Sequence, residues 1–186
     1  MRIISGVLKG RSIKFLRNTN TRPLKDNVKE NIFNILNHSS YIKVNVKNSN
    51  VLDLYSGIGS FGIECISREA KKVTFIEKDL NASNFLKDNL NELSIISKAK
   101  IYNSQIENVI ADLKQEYYHI FFFDPPFTDQ TFINIINLIK KNKIFKKNHV
   151  VIIHREKRTN DQLENLLNIF ETKYYGRSKV IFGEFN

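Results

Sequence analysis

Four consecutive residues in the second half of the chain have the chemistry to act on an amine. Asp124, Pro125, Pro126 and Phe127 follow Ile120–Phe123, an apolar run that predicts a buried strand. Ligands of open α/β sheets bind beyond the carboxyl ends of such strands. A carboxylate and a carbonyl in a proline-stiffened turn can hold a poorly nucleophilic base amine, and an aromatic ring can stack on the base. The alternative is a stiff turn without chemistry.

A glycine-rich stretch follows an earlier apolar run, Val51–Tyr55. Gly57, Gly59 and Gly62 have the GxGxxG spacing, which lets a backbone approach a ligand at the first strand-to-helix turn. The same spacing occurs in dinucleotide-binding folds and in structural tight turns. Asp53 favours a different ligand, because a carboxylate there repels a pyrophosphate and suits the cationic amino group of S-adenosylmethionine.

Glu77 follows a second predicted strand, Val73–Ile76. A carboxylate in this place can accept hydrogen bonds from both hydroxyls of a ribose. The alternative is a helix cap at the surface. His154 and Arg155 end the fifth predicted strand, and we expect them to be solvated loop residues. The four histidines show no metal-ligand spacing, so no metal site is predicted.

From residue 50 onward, strand and helix patterns alternate and predict a doubly wound, mostly parallel α/β sheet. The five expected parallel strands are 51–55, 73–76, 100–102, 119–123 and 150–153. The fifth βα unit has its helix near 160–169, and two late β runs close the chain as a hairpin that adds an antiparallel strand. At the start, Arg2–Ile4 and Ser12–Phe15 predict a hairpin, and a helix follows with Asp26 as its N-cap.

Length and composition are those of a single globular domain. The chain has 186 residues, with 41% hydrophobic and 26% charged residues. The lone Cys65 excludes a disulfide framework. The chain start does not resemble a signal peptide, and no apolar run approaches the roughly 20 residues of a membrane span. We therefore expect a soluble cytoplasmic protein.

The positive charge is concentrated near the N-terminus. The net charge is +10, and residues 1–30 contain eight basic and only two acidic side chains. Four of the eight arginines lie in this stretch. Clustered arginine favours phosphate contacts, although drift toward lysine on a solvated surface would also raise the total charge.

These motifs occur together in one known family. The chain resembles the RsmD-type class I methyltransferases, which use S-adenosylmethionine to methylate the N(2) amine of a guanine in 16S ribosomal RNA. Further matches span essentially the whole chain: Arg2–Gly6 with Lys9–Arg11, Thr21–Pro23, then Asp26, Val28, Glu30 and Phe33-Asn34, then Ile76–Asp79 and Tyr175-Gly176. The resemblance implies a Rossmann-like methyltransferase domain over 41–186, with a basic RNA-binding extension over 1–40 packed on it.

Carried over residue by residue, the resemblance implies three groups of site residues. The cofactor-binding group is Asp53, Tyr55, Ser56, Gly57, Gly59, Glu77, Lys78 and Gln105. The catalytic group is Asp124, Pro125, Pro126 and Phe127, in which Asp124 and the Pro125 carbonyl bind the amine and Phe127 stacks on the guanine. The RNA-binding group is Arg2, Lys9, Arg11 and Arg22. Gln105 replaces the usual Asp that contacts the adenine amino group, and Ser178 replaces a Thr.

The implied substrate is a guanine of the 966 type in 16S ribosomal RNA, within a small subunit or its precursor, modified by a monomer without a metal. Three alternatives remain. A DNA or RNA adenine-N(6) methyltransferase uses a similar turn, but the DNA enzymes usually carry a further recognition region. A nicotinamide dehydrogenase explains the glycines but not Asp53. A non-catalytic RNA-binding protein explains only the charge.

Overall fold

In the computed structural model, which describes residues 1–15 and 24–186, seven strands form one sheet. They are β1 (Asn50–Leu54), β2 (Lys72–Ile76), β3 (Ala99–Tyr102), β4 (Tyr118–Phe123), β5 (Phe145–Glu156), β6 (Leu167–Tyr175) and β7 (Ser178–Phe185). The order is β3-β2-β1-β4-β5-β7-β6. Strands β1 to β5 are parallel, and β7 lies antiparallel between β5 and β6. The predicted doubly wound sheet with a closing antiparallel pair is confirmed.

Five α-helices flank this sheet within the described residues. They are α1 (Asp26–His38), α2 (Ser60–Ser67), α3 (Leu80–Glu92), α4 (Ile106–Ile110) and α5 (Phe132–Asn142), with short 3-10 helices at 96–98 and 111–113. Helices α1, α2 and α3 pack on one face, and α4 and α5 pack on the other. Alternate strand residues point to opposite faces of the sheet. Phe122 therefore stacks on Phe61 of α2, while Phe121 and Phe123 lie in the apolar core on the other face, with α4 and α5. No helix in these ranges is both long and apolar enough to cross a membrane.

The helix predicted near 160–169 is wrong. Leu163, Leu166 and Leu167 have helical spacing, but the chain makes only one turn there, in which the Leu167 amide donates to the Leu163 carbonyl. Leu167 then begins β6 and pairs with Phe185 of β7. Because β7 offers the backbone a ladder of hydrogen bonds, strand pairing overrides the local pattern. The described chain therefore has four βα units, and β5 runs directly into a loop.

The first 15 residues fold back on themselves against α2 and α3. Arg2 and Ser12 form one antiparallel bridge, so the predicted hairpin is present in a short form. A Cβ on Gly6 would lie 2.0 Å from the Ser67 carbonyl oxygen, and its φ of +83° also favours glycine. The buried Glu64 carboxylate accepts hydrogen bonds from the Ile4 and Ser5 amides, at 2.8 and 2.9 Å. This segment is therefore fixed to α2 through its backbone.

The predicted N-cap of α1 is wrong by one residue. Lys25 occupies the N-cap position, and its side chain makes no capping hydrogen bond. Asp26 is the first helical residue, where its negative charge still stabilises the helix N-terminus.

Candidate active site

Three carboxylates lie at the carboxyl edge of the sheet, where β1, β2, β4 and β5 end. Leu54 of β1 is in register with Ile76 of β2 and with Phe123 of β4. Asp53, Glu77 and Asp124 therefore lie at the ends of three adjacent strands, and the glycine turn follows β1 between them. The two motifs that the sequence suggested for cofactor and base thus share one edge.

Asp53 lies beneath this edge. The residue is 1% exposed, and its Oδ2 accepts a hydrogen bond from the Gly62 amide at 2.9 Å. Its Oδ1 is buried without a hydrogen-bond partner among the described residues. Burial, together with the nearby Asp124 and Glu77 carboxylates, raises the pKa of Asp53 well above its usual range. A cation placed against Oδ1 would therefore stabilise the ionised form.

Two hydroxyl groups in the same turn are buried and poorly satisfied. Ser56 Oγ has no partner among the described residues. The Tyr55 hydroxyl makes no hydrogen bond of good geometry, although Asp129 and Thr131 lie close to it. Tyr55 also has a φ of 59°, a left-handed conformation that is costly for a bulky residue. Unpaired polar atoms and backbone strain in one turn are typical of a ligand-binding site.

Two glycines shape this turn in different ways. Gly59 has a φ of +84°, and a Cβ there would lie 2.4 Å from Cδ1 of Leu86. The positive φ therefore favours glycine at 59, and a Cβ there would also press on Leu86 of α3. Gly57 has a φ of +53°, and its Cβ would project into space with no atom within 4 Å. The backbone at Gly57 is therefore open to a ligand.

Glu77 reaches from the end of β2 to the glycine turn. Its Oε2 accepts a hydrogen bond from the Gly57 amide at 2.7 Å, and its Oε1 accepts one from the Asp79 amide at 2.8 Å. The cap of α3 is Asp79, which accepts from the Ala82 amide. The alternative that Glu77 itself caps this helix is wrong. Each carboxylate oxygen keeps a further lone pair for a ligand hydroxyl.

The remaining predicted cofactor residues border this edge. Lys78 is exposed beside Glu77. Gln105 occupies the N-cap position of α4, where its exposed side chain makes no capping hydrogen bond. Asn103, which the sequence did not single out, donates from Nδ2 to the Glu77 and Lys78 carbonyls at 2.9 and 3.2 Å. Asn103 therefore holds the loop that positions Glu77.

The turn after β4 is held in one conformation. The Pro126 carbonyl accepts hydrogen bonds from the Asp129 amide at 2.8 Å and from Nη1 of Arg155 at 3.0 Å. Within the described chain, the carbonyl of the buried Pro125 accepts none. Phe127 is half-buried. The turn thus keeps the Pro125 carbonyl available while its neighbour is occupied.

Two residues at the end of β5 belong to this site, so the expected solvated loop positions are wrong. His154 Nδ1 lies 2.8 Å from Oδ1 of Asp124, and the His154 ring meets Phe127 edge-on at 5.9 Å. When Asp124 is ionised, Nδ1 must carry the proton. Asp124 Oδ2 accepts no hydrogen bond from the described residues. The sequence alone did not reveal this, because the pairing of β5 with β4 is a property of the folded sheet.

Arg155 holds the turn after β4 through its hydrogen bond to the Pro126 carbonyl. Its guanidinium is buried at 1% exposure, pairs with both oxygens of Asp161 at 2.9 and 3.0 Å, and lies 4.6 Å from the ring centre of Phe132. Burial alone would raise the pKa of Asp161, but hydrogen bonds from Arg155 and Thr159 hold it below its usual value.

The predicted RNA-binding residues lie along the N-terminal segment. Arg2, Lys9 and Arg11 are exposed, whereas Arg22 falls outside the described residues, as do Thr21 and Pro23. Lys29, counted above among the basic residues, is wholly buried and lies 3.6 Å from Glu64, so phosphate contact by Lys29 is excluded.

Comparisons with known proteins agree with this geometry. The model of the family described as Conserved hypothetical protein 95 matches residues 1–184. A Haemophilus influenzae protein named Ribosomal RNA small subunit methyltransferase D is 35% identical over 159 residues, which are 84% of this chain and 79% of that protein. A protein of the same name from Buchnera aphidicola subsp. Acyrthosiphon pisum is 37% identical over 156 residues, covering 84% of this chain and 78% of the relative.

Solved structures show the same architecture. A proposed methyltransferase from Escherichia coli, yhhF, superposes with a TM-score of 0.82 at 26% identity, covering 100% of this chain and 98% of that one. A proposed methylase from Haemophilus influenzae superposes with a TM-score of 0.75 at 31% identity, with the same coverage. The chain therefore belongs to the Conserved hypothetical protein 95 family, which includes the ribosomal RNA small subunit methyltransferases D.

Proposed function

We propose that this protein transfers a methyl group from S-adenosylmethionine to the exocyclic N(2) amine of a guanine in 16S ribosomal RNA. One observation carries the proposal: the Asp124–Phe127 turn and the glycine turn with Glu77 lie side by side at one edge of the sheet. The names of the relatives support ribosomal RNA of the small subunit as the substrate. The guanine of the 966 type is the target that the family resemblance implies.

The unpaired atoms of the glycine turn fit the cofactor. The cationic amino group of its methionine part suits Asp53, whose Oδ1 is buried without a partner among the described residues. Glu77 would accept the ribose hydroxyls, and Gln105 would accept the adenine amino group through its amide oxygen. Lys78, Tyr55 and Ser56 would line the same pocket. S-adenosylmethionine supplies the methyl group from its sulfonium centre.

The turn after β4 would hold the base. Asp124 Oδ2 and the Pro125 carbonyl accept the two hydrogens of the amine, which orients the nitrogen toward the methyl group. His154 holds the other oxygen of Asp124, at 2.8 Å. The carboxylate stabilises the positive charge that develops on the nitrogen, and the methylated nitrogen then loses a proton to solvent or Asp124. Phe127 would stack on the guanine.

We call the Asp124–Phe127 turn the catalytic turn. The basic N-terminal residues would bind the RNA outside it. Arg2, Lys9 and Arg11 are exposed on a segment that the Glu64 carboxylate fixes to α2. Together with Arg22, they would contact phosphates, which position an RNA without selecting its sequence.

The product identifies the reaction. Incubation of the protein with S-adenosylmethionine and 16S ribosomal RNA, followed by mass spectrometry of the digested nucleosides, is expected to give N(2)-methylguanosine. Free 16S ribosomal RNA and isolated small subunits should both be offered as substrates. Recovery of N(6)-methyladenosine would instead favour an adenine methyltransferase with a similar turn, and no transfer to any RNA would overturn the proposal.

Removal of the ribose acceptor should weaken cofactor binding. Glu77→Ala deletes a charged acceptor, so we expect the dissociation constant for S-adenosylmethionine to rise about tenfold or more. Isothermal titration calorimetry measures this directly. Glu30→Ala, at an exposed glutamate of α1, is the matched control. Equal dissociation constants for the wild type and Glu77→Ala would contradict the ribose assignment.

A further inference from the structure

A second basic surface lies at the carboxyl edge of the sheet, where β5 ends and β7 begins. We call it the strand-end patch, and it consists of Lys157, Arg158, Tyr174 and Arg177. All four are exposed, and Tyr174 is 60% exposed. Lys157 Nζ lies 5.8 Å from the ring centre of Tyr174. The three cations form no ion pair within residues 1–15 and 24–186.

The patch stands directly beside the catalytic turn. Glu156 of β5 is in register with Ser178 of β7, and the Lys157 amide donates to the Arg177 carbonyl at 2.8 Å. His154, which contacts Asp124, is only three residues before Lys157, a span of about 10 Å in extended chain. The patch cations are therefore within reach of the phosphates that flank a base held at Asp124.

The loop under the patch is held by several hydrogen bonds. Arg155 donates to both oxygens of Asp161, and the single hydrogen of the Thr159 hydroxyl is shared between Asp161 Oδ2 and the Glu156 carbonyl, which lie 2.8 and 2.9 Å from Oγ1. Lys179 Nζ donates to the Thr159 carbonyl at 2.6 Å. Because the nearby Asp161 carboxylate is bound to Arg155, it does not neutralise the exposed cations. These hydrogen bonds fix the backbone that follows Lys157 and Arg158, not their side chains.

Lys9 and Arg11 of the N-terminal hairpin lie too far away to contact these phosphates. The Val7 amide donates to the Ser67 carbonyl, at the last residue of α2, and Arg11 donates to the carbonyl of Glu92, the last residue of α3. Both helices start at the carboxyl edge and run away from it for 8 and 13 residues. Lys9 and Arg11 therefore lie about 12–20 Å from the catalytic turn.

From these positions we infer that the strand-end patch binds the RNA backbone next to the target nucleotide, with Tyr174 stacking on an unpaired neighbouring base. The inference rests on the proposed function. In this arrangement the patch holds the phosphates close to the extruded guanine, and Lys9 and Arg11 of the N-terminal hairpin contact a more distant part of the same RNA. Cations interleaved with an exposed aromatic ring are typical of surfaces that bind single-stranded RNA.

The test compares two triple variants that lose the same charge. The first replaces Lys157, Arg158 and Arg177 by glutamine. The control replaces Lys98, Lys114 and Lys147 by glutamine, three exposed lysines before β3, before β4 and in the first part of β5, at the opposite edge of the sheet. Filter binding of in-vitro-transcribed 16S ribosomal RNA over a range of salt concentrations gives the affinity and the salt slope of each protein.

The patch variant is expected to bind this RNA about 10- to 100-fold more weakly at low salt, and its salt slope should fall by about two. Its KM for RNA should rise by more than its kcat falls. The control should keep nearly the wild-type slope. If the two variants have equal affinities and slopes while the wild type methylates RNA, the patch inference is overturned and the proposed function stands. If the wild type does not methylate RNA, the proposed function fails first.

Tyr174→Leu separates stacking from charge. It keeps an apolar side chain and all three cations but loses the aromatic face. We expect a three- to tenfold loss of RNA affinity with an unchanged salt slope, because base stacking on an aromatic ring is not an ionic contact. An affinity equal to that of the wild type would remove Tyr174 from the inferred surface.

Discussion

Asp124→Ala is expected to lower the rate of methyl transfer about a hundredfold or more while the affinity for S-adenosylmethionine is retained. In the proposed function Asp124 is the acceptor that holds the amine and stabilises its developing charge, so its removal should act mainly on the transition state. The proposed cofactor residues Asp53 and Glu77 lie on β1 and directly after β2, so their hydrogen bonds to the Gly62 and Gly57 amides should persist in this variant. Single-turnover transfer to 16S ribosomal RNA measures the rate without product release.

Two further variants sharpen this result. Asp124→Asn keeps the shape and one acceptor oxygen but loses the charge, so its rate should fall between those of the wild type and the alanine variant. Asp88→Ala removes an exposed aspartate from α3 and is the matched control. Turnover near the wild-type value by Asp124→Ala would mean that another group orients the amine.

The parallel part of the fold could be predicted because its strands are buried on both faces. Val51–Leu54 and Ile120–Phe123 are continuous apolar runs, apart from Asp53, and every residue in them is at most 2% exposed. A polar residue directly after such a run must lie at the carboxyl edge. The same reasoning placed Glu77 and Asp124 near the glycine turn.

Three of the errors have a common physical cause, since each depends on a partner distant in sequence. The turn at Leu163 does not continue as a helix because β7 offers pairing to β6. Lysine is usually a surface residue, yet Lys29 is buried because Glu64, on another helix, neutralises its charge. His154 and Arg155 follow an apolar strand, as loop residues do. Only the register of β4 with β5 shows that they lie beside the catalytic turn.

Arg155→Met is expected to destabilise the folded protein by about 3–5 kcal/mol, because it leaves the buried Asp161 carboxylate without its cation. The exposed fractions of the two side chains are 1% and 3%, so water cannot replace the lost partner. Denaturant unfolding at neutral pH measures the loss. Arg158→Met, at the exposed arginine three residues further on, should change stability by less than about 0.5 kcal/mol.

The pH dependence of this loss has a definite sign. In the wild type the pKa of Asp161 lies below its ordinary value, so the ion pair contributes its stability above the unfolded-state pKa and loses it as pH falls through the folded-state pKa. In Arg155→Met the buried and unpaired Asp161 prefers to be protonated, so acid reduces the cost of the variant. The difference in unfolding free energy between the two proteins should therefore shrink as the pH falls.

A double variant separates stability from catalysis at this position. Arg155→Met combined with Asp161→Asn removes the unpaired buried carboxylate and should recover much of the stability that Arg155→Met loses. The Pro126 carbonyl would still lack the donor that Arg155 provides at 3.0 Å, so the turn should remain less ordered and methyl transfer should stay slow. If the double variant regained both stability and wild-type turnover, Arg155 would act only as the partner of Asp161. Recovery of stability with slow transfer would establish it as a residue that positions the catalytic turn.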